Sequence, residues 1–322
     1  MEKLKINGNE VVVSEFDRPL TPEELLEKSK GADAILSLLT DRIDADLMDA
    51  IGPQLKIISN YAVGFDNVDV KAAGDRGIIV VNTPSEEVNE AVAEHTWALI
   101  LALARRIVES DEFVRNQGYF ASSGGYKGFE PGLFLGPSVM GKTLGIIGLG
   151  RIGSMVARRA KGYNLTVLYN KHEPDLEAEK ELGIKFAPLD ELLAASDFVT
   201  LHVPLTDETR GMVNKDALGK MKQGSYLVNT ARGPIVDESD LIEVLESGRL
   251  AGAALDVFES EPNISPKLLS LPNVIMTPHI ASATIEARQK MGEQAVAAIL
   301  DTASGTKPQN MVDEKIWETR RK

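Results

Sequence analysis

Cysteine is absent from the 322 residues. Disulfides, thiolate nucleophiles and thiolate metal sites are therefore all excluded, and no metal site is expected. Positive charge is also in short supply, with 35 Lys and Arg against 48 Asp and Glu and a net charge of −13. Such a surface repels nucleic acid and anionic lipid, so neither is an expected partner. Any anion that the chain binds must be held by a local site. Long apolar runs are missing too. The longest, WALILALA at residues 97–104, falls well short of the roughly 20 residues of a spanning helix. The opening MEKLKINGNE has no apolar signal core. A cytoplasmic protein without membrane contact is expected. Short-period repeats and low-complexity stretches do not occur.

The residues present are 43% hydrophobic and 26% charged, as in an ordinary soluble chain, and there is length for two domains. Apolar runs alternate with helical patterns, which argues for an α/β fold of parallel sheets built from βαβ units. The first series has runs at residues 11–13, 34–39, 55–59 and 77–81. A helical segment over about residues 89–110 is apolar nearly all round, the pattern of a buried helix. Residues 117–141, rich in glycine, proline and aromatics, lack periodicity and read as a long loop. A second series starts at Lys142, with strands TLGIIG, LTVLYN, FVTLHV, YLVNT, GAALDV and VIMTP. A last helix, about residues 283–304, returns to the first domain. The expected organisation is thus one domain from residues 1–105 and 286–322, interrupted by a second from residues 106–285.

The second series opens with KTLGIIGLGRIGSMVARRA, in which Gly148, Gly150 and Gly153 form GxGxxG. Such glycines serve a tight turn, close approach of a pyrophosphate, and packing of helix on strand. The helix N-terminus adds amide donors and partial positive charge. Alone, the pattern marks only a strand-to-helix turn. With a strand before it, a helix after it and a second strand ending about twenty residues later, it favours dinucleotide binding.

Four histidines occur: His95, His172, His202 and His279. His95 lies within the apolar helix, as a satisfied core histidine would. His202 ends a strand and could simply cap it. His279, in MTPHIASAT, follows a strand whose C-terminal end faces the crevice where ligands bind in doubly wound sheets. Two other strand ends point the same way: VNTARGPIVDE carries Arg232, and ALDVFESEP carries Asp256, Glu259 and Glu261. Each group alone could be a loop ion pair or a solvated carboxylate. Together they could clamp a carboxylate, move a proton and hold an imidazole charged.

At this point the chain resembles the D-isomer-specific 2-hydroxyacid dehydrogenases, and among them the glyoxylate and hydroxypyruvate reductases. The resemblance spans about residues 11–312. It rests on NYAVGFDNVD, GLGRIG, LHVPLTDETRGMVN, VNTARGPIVDE, LDVFESEP and TPHIASAT in that order, with LLTDRID and LFLG closest to the glyoxylate reductases. It implies a Rossmann nucleotide domain inserted into a flavodoxin-like substrate domain, both doubly wound. It also implies reduction of a short 2-oxo acid to the D-2-hydroxy acid by NAD(P)H. The implied catalytic residues are Arg232, Glu261 and His279, with Val63 and Gly64 amides and Arg232 on the substrate. Implied cofactor contacts are Leu149, Gly150, Arg151, Ile152, Gly153, Asn170, Lys171, His172, Pro204, Thr209, Thr230, Ala231, Asp256, His279 and Ala281. A homodimer is implied as well, and the aromatic-rich residues 119–134 would suit its interface, though a self-packed surface loop has the same composition. Dehydrogenases for other D-2-hydroxy acids and a dinucleotide-sensing corepressor share the constellation. Family members begin with a strand and helix ahead of the segment matched here by NEVVVSEF. About fifteen to twenty residues, one βα unit, are then expected to be absent, or residues 3–6 to substitute in part.

Counting twenty residues from Gly150 leads to Asn170 in LYNKH, where dinucleotide sites usually carry an acid. An aspartate there would accept from the adenosine ribose and repel a 2′-phosphate. Asn170 keeps hydrogen-bonding capacity without the charge, Lys171 adds a cation and His172 a donor. A plain polar turn is the bland alternative. The reading is NADP(H) preferred, with NAD(H) possible.

Overall fold

The computed structural model describes residues 2–116, 118, 128 and 130–321. Its chain forms two compact units, Met1–Val88 with Ala283–Lys322, and Asn89–Ser282. The division falls at the start of the Glu86–Ala104 helix, whereas the expected boundary at residues 105/106 lies at its end. Among the described residues no helix is long and apolar enough to cross a membrane.

In the first unit, β1 (Ala34–Ser37), β2 (Ile57–Asn60) and β3 (Ile79–Val81) form a parallel sheet in that order. Successive side chains point to opposite faces. Ile58 and Val80 join Ile43, Met48, Ile51 and Leu55 on one side, and Ile57, Ile79 and Val81 meet Ala298 of the Ile285–Ala303 helix on the other. The last helix does return to this unit. The strand expected at residues 11–13 is not formed: the segment has no ladder, and Val12 and Val13 are 64% and 54% exposed. Three valines suit a strand, but that preference acts through cross-strand packing and burial, and here both are missing. Residues 3–6 supply no strand either, since they lie within the Glu2–Ile6 helix.

The second unit holds seven parallel strands in the order β10-β9-β8-β7-β4-β5-β6. They are β4 (Thr143–Ile147), β5 (Thr166–Asn170), β6 (Lys185–Phe186), β7 (Phe198–Leu201), β8 (Tyr226–Asn229), β9 (Gly252–Leu255) and β10 (Val274–Met276). The chain runs outward from β4 in both directions, so the ends of β4 and β7 form a topological switch point. Val199, Leu201, Leu227 and Ala253 feed one core, while Phe198, Val228 and Ala254 feed another on the opposite face. The Glu86–Ala104 helix covers the second face. Its Trp97 stacks on Tyr163 at 5.1 Å and donates to the Val156 carbonyl at 3.1 Å. The single helix expected over residues 89–110 is two, broken where Arg106 turns left-handed (φ 50°) ahead of Ile107–Arg115. The two-residue β6 was not anticipated, being too short to show a period. Of residues 119–134, expected at a dimer interface, 119–127 and 129 lie outside the described residues.

Candidate active site

β4 delivers the chain into the glycine turn. Gly148 takes φ +96°, and a Cβ on it would lie 2.5 Å from the His202 carbonyl oxygen. A Cβ on Gly153 would lie 2.2 Å from the Gly148 carbonyl oxygen. These two glycines are structural. Gly150 differs: a Cβ there would meet nothing within 4 Å. It is the N-cap of the Arg151–Ala160 helix and has no side chain to cap it. The helix N-terminus thus opens on unfilled space at Gly150, the arrangement that accepts a phosphate. Leu149 is buried and Ile152 packs on the core beneath, so both shape the turn through the backbone. A dinucleotide pyrophosphate fits this cradle.

At the end of β5, the Asn170 carbonyl accepts from the Gly148 amide at 2.9 Å, which ties the turn after β5 to the glycine turn. The Asn170 side chain donates to the Ala187 carbonyl at 3.0 Å, so its Oδ1 is the atom left to accept. Lys171 is paired with Asp175 at 3.2 Å, and His172 is exposed. The Ala178 amide and Lys171 hold the Asp175 carboxyl below its ordinary range. After β7, the Thr209 hydroxyl donates to the Pro204 carbonyl at 2.6 Å, which brings those two expected contacts together. His202 is half-buried as a residue, but its Nε2 is sealed from solvent. Burial pushes its imidazole down to about 4.

The ends of β8, β9 and β10 carry the side chains expected to be catalytic. Buried Asn229 closes the turn after β8, donating to the Arg232 carbonyl at 2.9 Å and accepting from the Ala231 amide at 3.0 Å. Arg232 is half-buried, with Nη1 donating to the Ala231 carbonyl at 2.8 Å. Gly233 then lies flat against the next loop, where a Cβ would sit 1.8 Å from the Phe258 carbonyl oxygen. That contact brings the Arg232 turn alongside the segment leading to Glu261. The three carboxylates after β9 divide. Glu259 accepts from the Glu238 amide at 3.2 Å, and Glu261 accepts from the Phe258 amide at 2.8 Å and meets His279 Nδ1 at 2.9 Å. Asp256 is fully buried. It accepts from the Thr277 hydroxyl at 2.6 Å and from the Ile280 and Ala281 amides at 2.9 and 2.8 Å.

His279 takes the left-handed conformation (φ 55°), uncommon outside glycine though less so for histidine. Its amide donates to the Asp256 and Thr277 carbonyls at 2.8 and 3.0 Å, which offsets the strain. A carboxylate can only accept, so Nδ1 carries the proton toward Glu261 and Nε2 is the nitrogen free to serve a reactant. In the first unit, Asn82 and Asn60 donate to the Val63 and Gly64 carbonyls at 2.7 and 2.9 Å. Among the described residues neither of the two amides meets an acceptor, so both donors remain for an anion. Sequence reading missed Asn229, Gly233 and Thr277. Asn229 and Gly233 flank Arg232 within its motif, and Thr277 follows β10 directly, so adjacency to strand ends was the available signal.

The chain matches the family model described as D-isomer specific 2-hydroxyacid dehydrogenase, NAD binding domain, over residues 97–281. A glyoxylate reductase from Thermococcus onnurineus is 46% identical over 312 residues, covering 97% of this chain and 92% of that protein. A Thermus thermophilus protein of known structure superimposes with TM-score 0.88 at 41% identity, covering 97% of this chain and 96% of that one. An NADPH-dependent glyoxylate/hydroxypyruvate reductase from Sinorhizobium meliloti, solved with NADP and malonate, gives TM-score 0.78 at 36% identity over 90% and 86% of the two chains.

Two outcomes follow from this geometry. Gly150→Val fills space that the fold leaves open, so its melting temperature stays near wild type while dinucleotide affinity, read by fluorescence titration, falls at least ~10-fold, or about 1.4 kcal/mol. Undiminished affinity would mean that the turn holds no pyrophosphate. His202 takes up a proton in the unfolded chain near pH 6.5 but in the fold only near pH 4. Stability is therefore whole above pH 6.5 and is lost as pH falls toward 4, by about 3 kcal/mol at ~1.4 kcal/mol per pH unit. Denaturant unfolding from pH 7 to 4 checks this: His202→Gln flattens the decline by that amount.

Proposed function

Since the chain belongs to the D-isomer-specific 2-hydroxyacid dehydrogenase family, we propose that it reduces a short 2-oxo acid, glyoxylate or hydroxypyruvate foremost, to the D-2-hydroxy acid with NADPH as preferred cofactor. The observation that carries this reading is the His279–Glu261 pair at 2.9 Å, one loop away from the Arg232 turn. When bound, the nicotinamide supplies the hydride that reduces the carbonyl carbon. Arg232 binds the substrate's carboxylate and carbonyl oxygen, orienting the carbonyl and stabilising the negative charge that grows on its oxygen. Nε2 of His279 gives its proton to that oxygen, while Glu261 holds the ring through Nδ1. The Val63 and Gly64 amides serve the carboxylate. The first-turn amides at Gly150 hold the pyrophosphate. Cytoplasmic location and a homodimer belong to the same reading, and light scattering of the purified protein tests the latter.

NADPH preference is supported by the lack of an acid at Asn170, by Lys171 beside it, and by likeness to the NADPH-dependent Sinorhizobium enzyme. Asn170 Oδ1 leaves some use of NADH through the ribose hydroxyls, and the Lys171–Asp175 pair tempers the cation's pull.

His279→Ala is expected to cut turnover by ~10²–10⁴-fold with cofactor affinity intact; turnover near wild type would take His279 out of the mechanism. Arg232→Lys should raise KM for the 2-oxo acid and lower kcat together, because a point charge cannot reproduce a two-pronged contact. Full activity in that variant would refute the bidentate clamp. The ratio of kcat/KM with NADPH to that with NADH should exceed one in wild type and reverse in Asn170→Asp/Lys171→Ala. A wild type that favours NADH overturns the cofactor assignment.

A further inference from the structure

Thr230, Asp256 and Thr277 each stand one residue past the end of β8, β9 and β10. Those strands are neighbours, with Asn229 and Met276 both level with Leu255. The three residues therefore form a row along the carboxyl edge of the sheet, and each is followed closely by a proposed reactive group. Arg232 comes two residues after Thr230, and His279 two residues after Thr277. Over this row lies the Glu86–Ala104 helix, whose consecutive residues His95 and Thr96 both reach it.

The direction of every bond is fixed. Thr277 Oγ1 lies 2.6 Å from an Asp256 oxygen, which can only accept. Its single proton is thereby spent, so it must accept from His95 Nε2 at 3.0 Å. His95 Nε2 lies 3.5 Å from the same Asp256 oxygen. Thr96 Oγ1 donates to the Val92 carbonyl at 2.8 Å, so it accepts from Thr230 Oγ1 at 2.9 Å. Thr96 and Thr230 are both buried, so water does not compete for their bond, and Asp256 is buried beneath the half-buried His95 and Thr277.

We propose that His95 and Thr96 are positioning residues that set the two reactive turns from one helix: His95 sets the His279 turn through Thr277 and Asp256, and Thr96 sets the Arg232 turn through Thr230. This rests on the reading of Arg232 and His279 given above. The route from His95 is continuous, because the Asp256 oxygen that receives Thr277 also receives the Ile280 amide, the other carboxyl oxygen receives the Ala281 amide, and the Asp256 main-chain carbonyl receives that of His279. One residue apart on a helix, the two side chains serve turns that belong to strands two places apart in the sheet. A tilt or slide of the helix therefore moves proton donor and clamp together. A displacement of about 1 Å at such groups can cost ~10²-fold in rate.

The two arms differ in what they predict. His95→Leu should lower kcat at least ~10-fold while KM for the 2-oxo acid changes little. Thr96→Val should raise that KM and lower kcat, as loss of Arg232 contact does. His95→Gln, which offers an amide donor where Nε2 stood, and Thr96→Ser should each restore rates to within about twofold of wild type. Cofactor affinity should hold in all four, and the melting temperature should hold in His95→Gln and Thr96→Ser. Thr277→Val cuts the route without touching His95 and should reproduce the His95→Leu loss, which decides the matter if His95→Leu does not fold. Wild-type kinetics in His95→Leu, Thr96→Val and Thr277→Val would overturn the proposal, as would equal losses in the conservative and non-conservative variants. His279→Ala and Arg232→Lys are measured alongside. If these keep full activity, it is the assignment of the reactive groups that fails; if they lose activity while the helix variants do not, only the positioning proposal fails.

Discussion

A carboxylate with no exposure to solvent governs the carboxyl edge of β8, β9 and β10. Burial alone would raise the Asp256 carboxyl, but hydrogen bonds from His95 and Thr277 and from the Ile280 and Ala281 amides outweigh it and hold the group below its ordinary range. A buried charge is tolerated only when its oxygens are answered, and removal of one partner typically costs several kcal/mol. The turn carrying His279 is thus not a loop that happens to pass by. The Ile280 and Ala281 amides solvate the Asp256 carboxylate, and the left-handed His279 just before them is held by its own amide on the Asp256 and Thr277 main-chain carbonyls.

The same economy of groups separates the acids in the neighbourhood. Asp256 serves backbone, Glu261 serves the imidazole, and Glu259 answers the Glu238 amide while Glu238 answers that of Glu259. Burial raises the Glu238 carboxyl, and the nearby Glu259 and Glu261 add to this. Four acids in a small space would repel one another if all were free. All four instead accept amides, and among them Glu261 holds the His279 ring with one oxygen while the other receives Phe258.

Much of this was legible in the residues. Strands buried on both faces appear as continuous apolar runs, so six of the seven strands in the second unit were readable. The glycine spacing could be read because close approach forbids a Cβ at Gly148 and Gly153. Other features depend on partners that no local pattern names. The valines at residues 11–13 have strand chemistry without a ladder, Arg106 breaks a helix whose apolar pattern continues, and β6 is too short to carry a period. His95 looked like a core histidine and is one in part. What it is satisfied by, Thr277, stands 182 residues away, and only the fold brings a helix from before the glycine turn onto the last strand end.

The discontinuity of the first unit has a consequence for how the chain matures on the ribosome. The apolar face formed by Ile57, Ile79 and Val81 is covered by the Ile285–Ala303 helix. That helix is synthesised only after the whole of Asn89–Ser282. The inserted unit has its residues contiguous and can close its own cores while translation continues, as domains generally do. The earlier-made sheet must wait with three large side chains bare. Nascent chains are therefore most vulnerable to sticking together in the interval after the nucleotide-binding unit is complete and before the final helix emerges. A holdase acting in that interval would find its binding site on the first unit.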